Sequence, residues 1–276
     1  MASNLLFLRY GALVLLLALA APAGAQTADD PLATRAARAG VNVQLVETIR
    51  ARATDRGIAN DDIARLVTPA LGLAERGLPA EPVLQKVLEG ISKRVPPAQL
   101  AIVVDRLAAA TERAGVMGDA WLASGDVPRG LRTAAARITL IEGLTHGLAQ
   151  DNAGPVIQAL IDRLPGDLRR SPAGPADVGA AFRIAPSLPT AAAEPAQTAR
   201  LLGQALAAGF SGADLLQLPA ALQSLEAREG IAATVALNRA LDQIASRGLP
   251  AAAILEHLAR GGGPPAGPPT TPRGRP

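Results

Sequence analysis

The stretch GLPAEPVLQKVLEGISKRVPPAQL, residues 77–100, contains the punctuation on which the fold turns. Gly77 is followed by the bulky apolar Leu78, then Pro79, then a second apolar residue, Val83, five positions after Leu78. Further on, Arg94-Val95-Pro96 leads in the same way to Leu100. A Gly just past a helix can adopt the left-handed conformation that satisfies the last free carbonyls. Pro near the next helix start gives up no needed hydrogen bond, because first-turn N–H groups have no intrahelical acceptor. The bulky residue between them precedes the cap and packs against the apolar residue in the new helix's first turn. The phrase predicts helix, tight turn, helix.

Outward from this stretch the phrase recurs. Gly57-Ile58 leads to Ile63, Gly209-Phe210-Ser211 to Leu215, Gly230-Ile231-Ala232 to Ala236, and Gly248-Leu249-Pro250 to Ile254. Each unit is one helix and one turn, about half the length of a helical-hairpin repeat. Composition agrees. Hydrophobic residues make up 49% of the 276, yet the aromatics are only three Phe, one Trp and one Tyr. Ala dominates the apolar fraction and favours helix, while sheet-forming residues are sparse. The expected fold class is all-α: short antiparallel helices joined by Gly-apolar-Pro turns in a helical-hairpin or solenoid-like array. Gly57 to Gly77 spans 20 residues and Gly77 to Arg94 spans 17, against 21 and 18 for Gly209 to Gly230 to Gly248. These spacings suggest an internal duplication, although Ala-rich sequence aligns easily with itself. Pro69 and Pro219 are expected to kink the first helix of each set.

The chain divides by composition. Arg9, the apolar run Gly11 to Ala21 and the small residues Ala23 and Ala25 read as a signal peptide over 1–25, cleaved before Gln26. A polar segment over 26–40 precedes a helical domain over 41–164, repeat-like over 41–114 and different in kind over 116–164. Its first helix is expected from Val41 to Arg56, with Leu45, Val46 and Ile49 on one face. In its second part Trp121 is expected in a Gly-flanked turn, with helices from Arg129 to Gln150 and Pro155 to Leu164. Residues 165–195, dense in Pro, Gly and Ala, read as a linker partly laid on the surface. A second repeat-like region follows over 196–260. The Pro/Gly-rich tail over 261–276 has no core-forming residue and reads as disordered. Beyond residue 26 no run of 18 apolar residues suggests a membrane span.

The charge does not point to nucleic acid. All but Lys86 and Lys93 of the 27 basic residues are Arg, with no Cys and one Tyr, so little titrates between neutrality and pH 10. A net charge of +3 therefore carries the pI to 10.1 while acids and Arg alternate along the chain. Without Cys there are no disulfides or thiolates. His146 has Glu142 one helical turn before it, a pair that could share a metal, but neither Asp119 nor Asp151 is placed as a third ligand. His257 sits in a helix's last turn, where it complements the dipole. Ser124 lacks any nucleophile motif and suits a turn; Glu89 and Glu142 suit solvated helix faces. Trp121 reads as a core plug in preference to a sugar platform. No catalytic, cofactor-binding or metal residue is assigned.

Residues 76–100 as a whole, RGLPAEPVLQKVLEGISKRVPPAQL, resemble a phrase of secreted bacterial helical proteins of unassigned activity. The resemblance covers about a tenth of the chain, implies an exported helical protein and transfers no site residue. The resulting expectation is a secreted or periplasmic, non-catalytic module of the cell envelope, its partner another envelope protein or a cell-wall component. The alternatives are an envelope hydrolase using carboxylates on the central helix and a helical carrier of an apolar ligand.

Overall fold

The computed structural model describes residues 31–169, 171–245 and 250–260. The expected signal peptide and its cleavage site, the 261–276 tail, and Gly248 and Leu249 of the last turn lie outside the described residues. Among those described there are thirteen α-helices and no strand. In order they are α1 (Pro31–Arg38), α2 (Val43–Asp55), α3 (Asn60–Glu75), α4 (Glu81–Ser92), α5 (Pro97–Ala123), α6 (Ala134–Leu148) and α7 (Gly154–Leu168). There follow α8 (Pro175–Ile184), α9 (Pro195–Ala207), α10 (Gly212–Leu215), α11 (Leu218–Glu229), α12 (Ala233–Ala245) and α13 (Ala251–Arg260). The fold is all-α.

The turns have a common bond pattern. Gly57, Gly77, Arg94, Gly209 and Gly230 all have positive φ, between 59° and 85°. After α3, Leu78 N–H reaches the Leu73 carbonyl at 3.0 Å and Gly77 N–H reaches that of Ala74 at 2.8 Å. This pair of bonds is the Schellman arrangement, which satisfies carbonyls that the helix itself cannot. Equivalent pairs close α2 at Gly57, α4 at Arg94 and α9 at Gly209. A further one closes α1 at Gly40, where Val41 N–H meets the Ala36 carbonyl at 2.9 Å. Arg94 is a non-Gly residue at φ 59°, a conformation that costs energy and is held by these two bonds. In α3, α5 and α10 the bulky turn residue immediately precedes the cap and its apolar counterpart is the fourth helical residue, as the staple requires.

Apolar side chains gather in two clusters. The first runs from Ala36 to Ala108 and the second from Ala110 to Leu258. The 27-residue α5 contributes to both, Leu100 and Val104 to the first and Ala114 and Trp121 to the second. Leu78 packs against both. The core therefore divides inside one helix, not at residue 165.

Several expectations are corrected. Residues 165–195 are not a surface linker. They carry the end of α7, all of α8 and a 3-10 turn at Ala185–Ser187, and Val178, Ala181, Phe182 and Ala185 are wholly buried. The Pro and Gly there are helix-start chemistry: Pro175 occupies the first turn of α8, and Asp177 Oδ2 accepts the Gly174 N–H at 2.9 Å. Small residues also let helices close up. A Cβ on Gly143 of α6 would lie 2.4 Å from the Gly179 carbonyl oxygen of α8, and one on Gly147 would lie 2.5 Å from that of Phe182. The polar segment 26–40 contains α1, with Ala36 fully buried and Arg35 gripping Glu75 of α3 through Nε and Nη2 at 2.7 and 2.9 Å. Trp121 is not in a turn; it lies in the last turn of α5. The helix expected from Arg129 divides into a 3-10 turn, Arg129–Leu131, and α6, whose cap Thr133 accepts the Ala136 N–H at 3.1 Å. Helix α7 passes Pro165 and ends at Leu168, which is buried. Pro219 does not kink a helix but stands in the first turn of α11, which is separate from α10.

Candidate functional site

A connected polar corner lies where the Gly77 turn, α5 and α6 meet. Arg137, in the first turn of α6, donates through Nε and Nη2 to the two oxygens of Asp119 at 2.6 and 2.8 Å. Its Nη1 donates to the Gly77 carbonyl at 2.8 Å. The planar guanidinium suits this fork. Its hydrogen bonds and charge hold Asp119 below the usual carboxylate range and raise Arg137 in turn. Asp119 is thus committed to an ion pair and is not the third ligand of a His146 metal site.

Beside this corner a groove of about 340 Å³ runs between the Gly40 and Gly77 turns. Val41, Leu45, Leu78 and Ile138 give it an apolar lining, and Glu81 and Glu142 lie at the same groove. Glu142 and His146 share the face of α6 as their spacing predicts, but the imidazole turns back onto its own helix. His146 Nδ1 lies 2.8 Å from the Glu142 backbone carbonyl, to which it donates. Among the described residues no three His, Asp or Glu side chains are grouped to hold a metal ion.

The remaining sequence candidates fall apart from one another. Glu89 lies between Lys86 and Lys93, at 2.7 and 2.5 Å, and hydrogen bonds from these two ammonium groups lower its carboxyl to about 2. Ser124 Oγ donates to the Trp121 carbonyl at 2.7 Å and closes the end of α5. Trp121 is 4% exposed and meets Phe182 edge to face, ring centres 5.9 Å apart, so neither ring face is open to a sugar. His257 is in the last turn of α13, as expected. Among these candidates the one hydroxyl, that of Ser124, meets a backbone carbonyl and not a base.

Two features were missed in the sequence. Arg137 contacts a turn sixty residues away, and nothing local announces it. The second is the outward face of α5, where Ile102, Val103 and Val116 are 61%, 45% and 73% exposed. Its signal is in the sequence: Ile102, Ala109 and Val116 stand seven residues apart. Among the described residues no helix is long and apolar enough to cross a membrane. Compared with models of protein families, with curated proteins and with solved structures, the chain matches none.

Proposed function

We propose that this chain is an exported, non-catalytic helical protein of the cell envelope, acting as an interaction or structural module built from repeated helix-and-turn units. The observation that carries the reading is the outward face of α5, a helix belonging to both cores that nevertheless turns large apolar side chains to solvent. Isolated exposed apolar residues are ordinary on any surface, but aligned ones on a rigid element are what a binding face needs. The polar groups support the same reading, because the carboxylates with lowered pKa at positions 75, 89, 119 and 229 each face a cation in an ion pair. The basic signal, apolar run and small residues before Gln26 support export.

Cell fractionation with intact-mass measurement tests the location: the exported form is expected to begin at Gln26. A protein confined to the cytoplasm with all of residues 1–25 would overturn it. Cross-linking in intact cells tests the role, with an envelope component expected in the captured species; a protein that captures none has no such role.

A further inference from the structure

We propose that the outward face of α5 is a self-association surface that binds α5 of a second copy in parallel, about a two-fold axis running along the helix. The proposal rests on the interaction-module reading and names the partner.

The pattern has a period of seven. Ile102, Ala109, Val116 and Ala123 form a line of exposed apolar residues along α5. Three residues after the first three stand Asp105, Glu112 and Asp119, and four residues after the first two stand Arg106 and Arg113. On a helix, positions three and four further on fall to opposite sides of the starting residue. The apolar line therefore has an acidic edge and a basic edge, and all of these charged residues are exposed. Among the described residues Asp105, Arg106 and Arg113 have no ion-pair partner in the chain. Glu112 meets Arg76 at 2.5 Å, with its side chain still 48% exposed, and a carboxylate can accept from two cations.

This asymmetry selects both the occupant and its direction. When two copies of one helix lie parallel, the left edge of each faces the right edge of the other, as in a parallel coiled coil. Asp105 of one copy then stands beside Arg106 of the other, and Glu112 beside Arg113, each pair occurring twice. An antiparallel arrangement would set acid against acid and Arg against Arg. Along the seam Ile102 meets its own copy, as do Ala109 and Val116, and the small Ala109 lets the helices approach. Closed two-fold pairs are the commonest assembly and need one face to complement itself, which this one does. The seam from Ile102 to Ala123 is about 32 Å long.

The test uses the full exported chain. Sedimentation equilibrium is expected to show a mass that rises towards the dimer with concentration, more weakly at high salt because the pairs are exposed. Arg106→Glu with Arg113→Glu makes both edges acidic. It should weaken association about tenfold or more while circular dichroism stays unchanged. An equimolar mixture of that variant with Asp105→Lys, Glu112→Lys should regain it. Because the chain has no Cys, direction can be read separately. Under mild oxidation Ile102→Cys alone and Val116→Cys alone should each give covalent dimers.

A chain that stays monomeric at every concentration overturns the proposal, as does association indifferent to the charge reversals. Cross-linking only when the two Cys variants are mixed overturns the parallel direction. A monomer that still captures an envelope component defeats this inference alone, whereas a dimer that captures none defeats the module reading and leaves the seam.

Discussion

Residues 57–77 and 209–230 begin with the same kind of turn and carry a proline at a similar offset, yet they fold differently. The first gives a single helix, α3, that runs through Pro69 to Glu75. The second gives the one-turn α10 and then α11, with Pro219 near its start. Proline removes one backbone N–H and crowds the carbonyl four residues earlier. At Pro69, ten residues after the cap, more than two turns are already in place, and Leu66, Val67, Ala70 and Leu71 are buried on both sides of it. Pro219 comes eight residues after Ser211, the cap of α10; Leu216 and Gln217 are exposed, whereas Leu215 and Leu218 on either side of them are buried. Fewer helical residues precede it than precede Pro69, and a new first turn accommodates proline without loss. What a proline does to a helix thus depends on how much packed helix precedes it.

The largest expected effect separates the two turn residues. Phe210 is 1% exposed, so Phe210→Ala should cost about 3 to 5 kcal/mol, whereas the partly buried Ile58 should cost about 1 kcal/mol on the same change. Urea midpoints measure both, and equal losses would remove the contrast. The prolines should differ next. Pro69→Ala is expected to stabilise by about 1 to 3 kcal/mol by restoring a helical bond, while Pro219→Ala should change stability by less than about 0.5 kcal/mol. Thermal midpoints compare them; a larger gain at position 219 would reverse the explanation. The two turns should instead respond alike to Gly57→Val and Gly209→Val, each losing about 1 to 2 kcal/mol because both φ angles are positive. Chemical denaturation of the pair checks this, and an unmoved midpoint at either site would mean that its turn can relax. The smallest effect is at the caps. The Ser211 hydroxyl accepts the Asp214 N–H at 3.3 Å and Ala59 has no capping side chain. Ser211→Ala should cost about 1 kcal/mol and Ala59→Ser should gain up to about 1 kcal/mol, read from hydrogen exchange in the first turn of each helix.

Helices and turns were legible because their signals are local. A Schellman turn is set by six consecutive residues, and four of those read from the sequence have its bond pair. Gly40-Val41-Asn42, leading to Val46, is the same phrase with Asn in place of Pro; Asn42 caps α2 by accepting the Leu45 N–H at 3.3 Å. Residues 165–195 were misread because Pro175, Gly174 and Gly179 look like linker composition. They instead start α8 and thin its flank so that it can lie on α6. The division of the core within α5 was not legible, since it depends on which helices pack against each half. Of the candidate site, the sequence placed Glu142 and His146 on one face but could not show the imidazole bound to its own backbone. The line on α5 was present in the spacing of three residues and needed only their exposure to become visible.

The close seam between α6 and α8 has a consequence for how this gene can vary. Every residue that can replace Gly143 or Gly147 adds at least one carbon, and at each position that carbon would fall within 2.5 Å of a backbone oxygen of α8. A side chain can swing aside; a backbone carbonyl of a packed helix cannot. No missense change in either codon is conservative, however mild it looks on a substitution table. Variation in α6 must therefore collect on its other faces, and these two glycines should be the stillest points in any lineage that keeps the fold.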